Sequence, residues 1–327
     1  MIVCVSANPA IDRRLRLESI AVGEVNRAVS AQPFPGGKAA HVAMAAHSLG
    51  EAVMWVGFLG GATGEECESG LSDLGIPVTI VRTLTQTRSN LEIIADDGKV
   101  TEILEPGGVV TESEVERLLS ACRDIFAEGD EGSQVALSGS LPPGVPTDFY
   151  AELIRLAHAH GWRALLDSSG GALRQGIEAK PDLVKPNRNE AAWFGGRPIS
   201  NARVTMEIAR EMFEAGAHSV AVSLGVDGVI WQPSPNSQAL AAQAPRLAAC
   251  STVGCGDAAL AGFAVAYARG LSEEEIVGLA VACGTANCLA EAPGMIDRGE
   301  VERIMQGVSV QRLHAGYPRV ETKGAVK

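Results

Sequence analysis

The sequence predicts an α/β fold: a central, mostly parallel sheet with helices on both faces and a smaller β structure beside it. Three observations predict it. Short β-branched apolar runs alternate with helix-like stretches, which is the pattern of a parallel sheet. The helix-like stretches close on glycines, as C-capped helices do. Two segments, residues 13–35 and 87–105, break the alternation.

In chain order, IVCVSA is the first strand, and NPAID ends it with Asp12 at its C-terminal edge, where open α/β sheets bind ligands. Residues 13–35 alternate like strands in places. GGKAAHVAMAAHSLG then reads as a helix closed by Gly50. Its Gly36-Gly37-Lys38 start is an anion or hydroxyl site. VMWVGFLG is a buried strand, and residues 87–105 are a hairpin turning at DDG. The two interrupting segments pair as a small sheet suited to a lid, or stand as ordinary edge hairpins. QVALSGS, RALLDSS, DLVKPN and SVAVSLG are further strands. DFYAELIRLAHAHG and VTMEIAREMFEAG are helices closed by Gly161 and Gly216. In VKPNRNEA, Asn187 and Glu190 form an oxygen pair suited to hydrated Mg²⁺. The glycine turn of VSLGVDG suits the back of a nucleotide. VETKGAVK is a polar tail.

The net charge of −12 argues against a nucleic acid or an anionic membrane as partner. An anionic ligand must therefore be held by local cations. The chain has seven cysteines and no Cys-x-x-Cys; Cys250/Cys255 and Cys283/Cys288 share one spacing that matches no zinc site. They are expected to be buried free thiols in a reducing compartment. MIVCVSANPAID has no charged leader, and no apolar run approaches the roughly 20 residues that span a bilayer. The expected location is the cytoplasm.

STVGCGDAALAGF, residues 251–263, poses the sharpest question. Gly254 and Gly256 let backbone approach an anion closely. The small apolar residues after them form a buried helix ending at Gly270, and Ser272 with Glu275 begins the next by a capping box. The turn thus sits at a helix N-terminus, where free N–H groups favour negative charge. A carboxylate there repels phosphate, so Asp257 suits a different task. It can take the proton of a hydroxyl as that oxygen attacks a phosphoryl group held by the N–H groups. Capping the helix is the other use of Asp257. The stretch is neither a Walker A loop nor Gly-x-Gly-x-x-Gly.

NPAID, GGK, SGSLPPGVP, KPNRNEA, VSLGVDG and TVGCGD, in this order, resemble the PfkB, or ribokinase-like, family of sugar kinases over nearly the whole chain. NPAIDR, GEVNRA, TRSNLEI and TEILEPGG are most similar to its branch of 1-phosphofructokinases and tagatose-6-phosphate kinases. The resemblance implies a ribokinase-like three-layer α/β/α sandwich with a β-lid. It implies one kinase unit over 1–327, with a core of about 1–12, 36–86 and 106–320 and a lid of 13–35 and 87–105. The implied reaction is ATP-dependent phosphorylation of a hydroxyl on a ketohexose phosphate, of fructose 1-phosphate or tagatose 6-phosphate type, with Mg²⁺. Asp257 is the implied base, and backbone N–H groups of Gly254, Cys255 and Gly256 steady the transferring phosphoryl group. Asp12, Gly36, Gly37, Lys38, His41, Asn90 and Ser138 are implied substrate contacts. Arg88, Lys38 and Arg27 would surround the sugar's phosphate. Lys185, Asn187, Ser223, Gly225, Gly228 and Asn287 would border ATP, with Asn187 and Glu190 organising Mg²⁺ mainly through water. Pairing of relatives through their lids implies a homodimer.

The sequence departs from the family pattern in three places. His41 stands where Asn is usual, Ser251 where Asp or Asn often precedes the turn, and Ala258 where a small hydroxyl residue often follows the base. His41 is bulkier and titratable, which leaves the sugar open. Two other functions remain at this point. A kinase for an unphosphorylated sugar or nucleoside needs no cation cluster. A nucleotide- or sugar-phosphate-binding protein without turnover needs no base. NPAID rather than a glycine fingerprint follows the first strand, which argues against a nicotinamide dehydrogenase.

Overall fold

The computed structural model describes residues 1–247 and 251–313. Cys250, the tail VETKGAVK and the last residues of the expected core lie outside the described residues.

The chain runs β1 (Ile2–Ser6), β2 (Ala10–Leu17), β3 (Ser30–Gly36), α1 (Lys38–Ser48), β4 (Val53–Leu59), α2 (Gly61–Asp73), β5 (Val78–Arg82), β6 (Arg88–Ala95) and β7 (Val100–Leu104). It continues with α3 (Glu112–Glu128), β8 (Gln134–Ser138), α4 (Phe149–Ala159), β9 (Arg163–Asp167), α5 (Gly170–Glu178), β10 (Leu183–Val184), α6 (Arg188–Phe194) and α7 (Ala202–Ala215). Last come β11 (Val220–Ser223), β12 (Val229–Gln232), β13 (Ala239–Gln243), α8 (Cys255–Ala268), α9 (Glu273–Asn287), α10 (Arg298–Met305) and β14 (Ser309–Leu313).

The main sheet has ten strands in the order β14-β13-β12-β11-β10-β9-β8-β1-β4-β5. From β5 to β11 neighbours are parallel; β12, β13 and β14 extend the edge antiparallel. Every residue of β1 is buried, as expected of a strand covered on both faces. Ile2 and Cys4 pack into the layer of α1, α8 and α9, while Val3 and Val5 pack into the layer of α3, α4, α5 and α7. This is the expected mixed α/β sandwich. The antiparallel edge was not legible, because its β13 segment, ALAAQ, has no β-branched residue.

A second sheet, β3-β2-β6-β7, contains both interrupting segments. Strands β2 and β6 pair in parallel from Ala10↔Arg88 to Leu17↔Ala95, and β6 turns into β7 at Gly98, whose φ is 79°. One expectation needs correction: Asp12 does not end the first strand. β1 stops at Ser6, and Asp12 is the third residue of β2 in the second sheet. Pro9 lacks an N–H and interrupts the ladder between them.

Helix α8 is apolar on all sides because it is enclosed, packed against α1 and α9. Small residues allow the approach: a Cβ on Gly262 would lie 2.7 Å from the Ala280 Cα. Backbone cannot yield as a flexible side chain does. Gly262→Ala should therefore cost about 1–3 kcal/mol by overpacking. Urea denaturation checks this, and an unchanged midpoint would show that the helices separate freely.

Candidate active site

A cavity of about 1130 Å³ opens between the two sheets, lined by Asp12, Arg88, Asn90 and Leu104 on one side and by Lys38, Lys185, Gly254 and Asp257 on the other. At its centre three elements meet through one side chain. His41, from α1, lies 2.8 Å by Nδ1 from Asp257 Oδ2 and 2.8 Å by Nε2 from Asp12 Oδ2. Asp257 comes from the first turn of α8 and Asp12 from β2. The parallel register sets Asn90 opposite Asp12, and Asn90 Nδ2 donates to Asp12 Oδ1 at 2.8 Å. All four side chains are buried.

Burial opposes charge on His41, but the hydrogen bonds and negative charges of Asp12 and Asp257 outweigh it and push its pKa up from 6.5 to about 10. The ring is therefore an imidazolium at neutral pH, donating from both nitrogens. Asp12 loses water too, yet bonding to His41 and Asn90 holds its carboxyl below the usual range.

A second charged group stands on the facing wall. Asp167, at the end of β9, accepts from Lys185 Nζ at 2.6 Å and from Lys38 Nζ at 2.7 Å. Burial works against the charge on Lys38, but Asp167, Glu190 and Asp257 raise its pKa above the usual value. A Cβ on Gly256 would lie 3.4 Å from Lys185 Nζ, so this ammonium adjoins the glycine turn. Gly254 caps α8 with φ 79°. Among the described residues, the N–H groups of Gly254, Gly256 and Asp257 have no acceptor; the Cys255 N–H is bonded to Thr252 O at 3.3 Å. Helix start, bare N–H groups and two lysines make an anion seat, and a carboxylate stands at its edge.

The family model for pfkB family carbohydrate kinases matches residues 1–295. The chain belongs to that family. It is 28% identical over 313 residues to a 1-phosphofructokinase of Vibrio cholerae, covering 96% of this chain and 97% of the relative. The structure of Escherichia coli phosphofructokinase-2 in complex with fructose-6-phosphate matches with a TM-score of 0.84 and 30% identity, over 93% of this chain and 98% of that one. Arabidopsis thaliana ribokinase, 20% identical with a TM-score of 0.72 over 93% of this chain and 98% of that one, shows the same fold. The protein is thus a pfkB-type kinase that transfers phosphate from ATP to a sugar phosphate.

Within this pfkB site, Asp12, Gly37, Lys38, His41, Arg88, Asn90, Lys185, Asn187, Glu190, Ser223, Gly225, Gly228 and residues 254–257 all line the cavity. Other expected residues do not. Arg27 is exposed on the loop between β2 and β3, away from the lining. Gly36 is buried against Asp12; a Cβ there would lie 2.3 Å from the Asp12 Cγ, so this glycine makes room for the carboxylate. Ser138 is buried outside the lining. Asn287 braces the turn instead of bordering the cavity. Its Nδ2 donates to Val253 O and its Oδ1 accepts from Gly294 N, each at 2.7 Å. The Cys255 N–H, being bonded within the turn, is replaced in the anion seat by that of Asp257.

Asn187 and Glu190 also carry a structural duty, a reciprocal capping box on α6. Asn187 Oδ1 is taken up by two backbone N–H groups. Glu190 keeps one oxygen, Oε1, 3.6 Å from Lys38 Nζ.

Sequence reasoning missed Asp167, although an acid ending a parallel strand is a usable signal. It also missed Arg14 and Glu92, a buried bidentate pair at 2.8 and 3.0 Å across β2 and β6. Ser251 Oγ donates to Glu92 Oε1 at 2.5 Å, which ties the second sheet to the glycine turn and accounts for the unusual serine.

The imidazolium bridge predicts a stability profile. The folded pKa of His41 is raised, so its stabilisation is full below about pH 6.5 and lost as pH rises through about 10. The melting temperature of the wild type should fall across that window more steeply than that of His41→Asn. Parallel curves in calorimetry would show that the imidazole is neutral.

Proposed function

We propose that this kinase phosphorylates a hydroxyl of a ketohexose monophosphate, of fructose 1-phosphate or tagatose 6-phosphate type, with Asp257 as general base. The observation that carries the reading is the position of Asp257. It stands at the edge of the anion seat, with Oδ2 bound by His41 and Oδ1 left for a substrate hydroxyl. The transferring phosphoryl group would rest against the N–H groups of Gly254, Gly256 and Asp257 and the ammonium groups of Lys38 and Lys185. Phosphoryl transfer proceeds mostly by positioning and electrostatics, so a base steadied by an imidazolium suffices to collect the proton late. A binding protein without turnover has no use for that carboxylate beside an anion seat.

Asn90 supports a polyol substrate. Its Oδ1 is buried with no partner, and a bare buried acceptor costs roughly 1–3 kcal/mol. A sugar hydroxyl would satisfy it. Arg88 supports a phosphorylated one. Its guanidinium holds the Asn8, Pro9 and Glu105 carbonyls at 3.0, 3.4 and 2.7 Å. Of the five N–H groups of a guanidinium, two remain for a phosphate. The relatives' names, a 1-phosphofructokinase and a phosphofructokinase-2 with fructose-6-phosphate, agree with this class.

Mg²⁺ fits the site as a hydrated ion. Among the described residues no cluster of three His, Cys, Asp or Glu can hold a metal, but Mg²⁺ keeps most of its waters when it travels with phosphates. Glu190 Oε1 would meet those waters, and the ion would neutralise charge on the ATP phosphates. The second sheet would act as a lid that excludes water. Ile103 and Leu104 are more than half exposed on its β7 strand, which supports pairing of two chains through their lids. Among the described residues no helix is long and apolar enough to cross a membrane, and with free thiols this supports a cytoplasmic location.

Loss of the base should be severe: Asp257→Asn should lower kcat by about 10²–10⁴-fold while ATP binding survives, and near-normal turnover in the folded variant would remove Asp257 from the mechanism. Glu190→Gln keeps the capping box, since Gln serves there as Glu does. It should raise the Mg²⁺ concentration giving half-maximal rate, and an unchanged titration would confine Glu190 to its capping duty. A phosphate contact from Arg88 is worth about 1.5–3 kcal/mol. Arg88→Ala should weaken a ketohexose phosphate by roughly one to two powers of ten and leave the free ketohexose nearly unaffected. A panel of sugars and sugar phosphates in a coupled ATP-consumption assay checks this. Wild-type preference for the free sugar, or equal loss of both, would favour the unphosphorylated-sugar reading.

A further inference from the structure

Two thiols adjoin the glycine turn. Cys255 is the first residue of α8, and Cys288 caps the C-terminus of α9. Their Sγ atoms lie 3.2 Å apart, both are half-buried, and both line the cavity. The other described cysteines, Cys4, Cys67, Cys122 and Cys283, are fully buried. The sequence led to the expectation of buried free thiols; Cys255 and Cys288 are instead half-buried and face each other.

We propose that Cys255 and Cys288 are a modification site: a peroxide joins them in a reversible disulfide that deforms the phosphoryl-binding turn and stops transfer. The inference rests on the kinase reading for its effect on turnover, though not for the bond itself. Cys288 is the first nucleophile. The bond from Cys255 holds its pKa below the usual thiol value, whereas burial pushes the thiols of Cys67, Cys122 and Cys283 up to about 12. Cys288 thiolate attacks one peroxide oxygen; the O–O bond breaks and the other oxygen leaves as water with a proton. The resulting sulfenic acid is attacked by the Cys255 sulfur. The S–O bond breaks, and its oxygen leaves as a second water carrying the proton of Cys255. Two thiols and one peroxide thus yield one disulfide and two waters, a two-electron oxidation.

The geometry says where the strain goes. A disulfide is about 2.05 Å long, so the sulfurs must close by roughly 1.1 Å from their 3.2 Å separation. The middle of α8 and α9 cannot supply that movement. The packed middle of the pair is fixed, because a Cβ on Gly262 would lie 2.7 Å from the Ala280 Cα, so the movement falls on the N-terminal end of α8. The displacement falls on residues 252–256, which present the bare N–H groups and lead into Asp257. A misplacement near 1 Å can cost about 10²-fold in rate. Intracellular disulfides are commonly transient and redox-sensing.

The test exposes reduced protein to hydrogen peroxide and follows two readouts, turnover and fragment-ion mapping of linked peptides. The mapping is done in wild type and in Cys250→Ser, because Cys250 and Cys255 share a tryptic peptide. The expected result is a Cys255–Cys288 link in both, a loss of rate of about 10–100-fold, and recovery with dithiothreitol. In Cys288→Ser, the ratio of oxidised to reduced rate should stay within about twofold of one. A missing link, a loss that dithiothreitol does not reverse, or equal loss in Cys288→Ser would overturn the proposal. The linked peptide is detected without turnover, so failure of the thiol chemistry and failure of the kinase reading are separable.

Discussion

The site depends on one buried cation between two buried anions. His41 joins Asp12 of the second sheet to Asp257 of α8. The charge on His41 offsets the repulsion between these two buried carboxylates. The imidazolium helps hold the Asp12 carboxyl below its usual range and fixes the orientation of Asp257 through its Nδ1. An Asn at this position would offer two N–H donors but no charge, and its bonds to carboxylates would be weaker than those of an imidazolium, so His41 sets the electrostatics of the site.

The same logic runs along the outside of this bridge. Arg14 and Glu92 form an ion pair across β2 and β6, and Arg14 also donates to the Glu291 carbonyl while Glu92 accepts from Ser251. Removing one partner of such a buried pair leaves an uncompensated charge. The second sheet is thereby fastened at its base to Ser251 of the glycine turn and to the loop after α9. On the opposite wall, Asp167 holds Lys38 and Lys185 in place. In a protein of net charge −12, two ammonium groups are thereby held facing the glycine turn across the cavity.

Much of this was legible because it is local. Gly254, Gly256 and Asp257 are consecutive in a turn that announces a helix start, and Gly36-Gly37-Lys38 does the same for α1. The alternation of apolar strands with glycine-closed helices made the sandwich readable. What stayed hidden was long-range. Arg14 meets Glu92, and Lys38 meets Asp167, only through sheet register and the packing of layers. Asn287, a nucleotide neighbour by the family resemblance, braces the glycine turn through Val253 and Gly294. Arg27 lay in the right motif but on an exposed loop. His41 was visible as a departure, yet nothing in the sequence showed that both of its nitrogens would face a carboxylate.

The central claim is that His41 stands charged between Asp12 and Asp257. Nitrogen-15 NMR of imidazole-labelled protein measures this directly, since each ring nitrogen reports its own protonation. The account predicts imidazolium shifts for both nitrogens of His41 at neutral pH, persisting until the ring titrates near pH 10, and a downward shift of that titration in Asp257→Asn. A His41 ring that titrates near its ordinary value of 6.5, or shows one bare nitrogen at neutral pH, would contradict it.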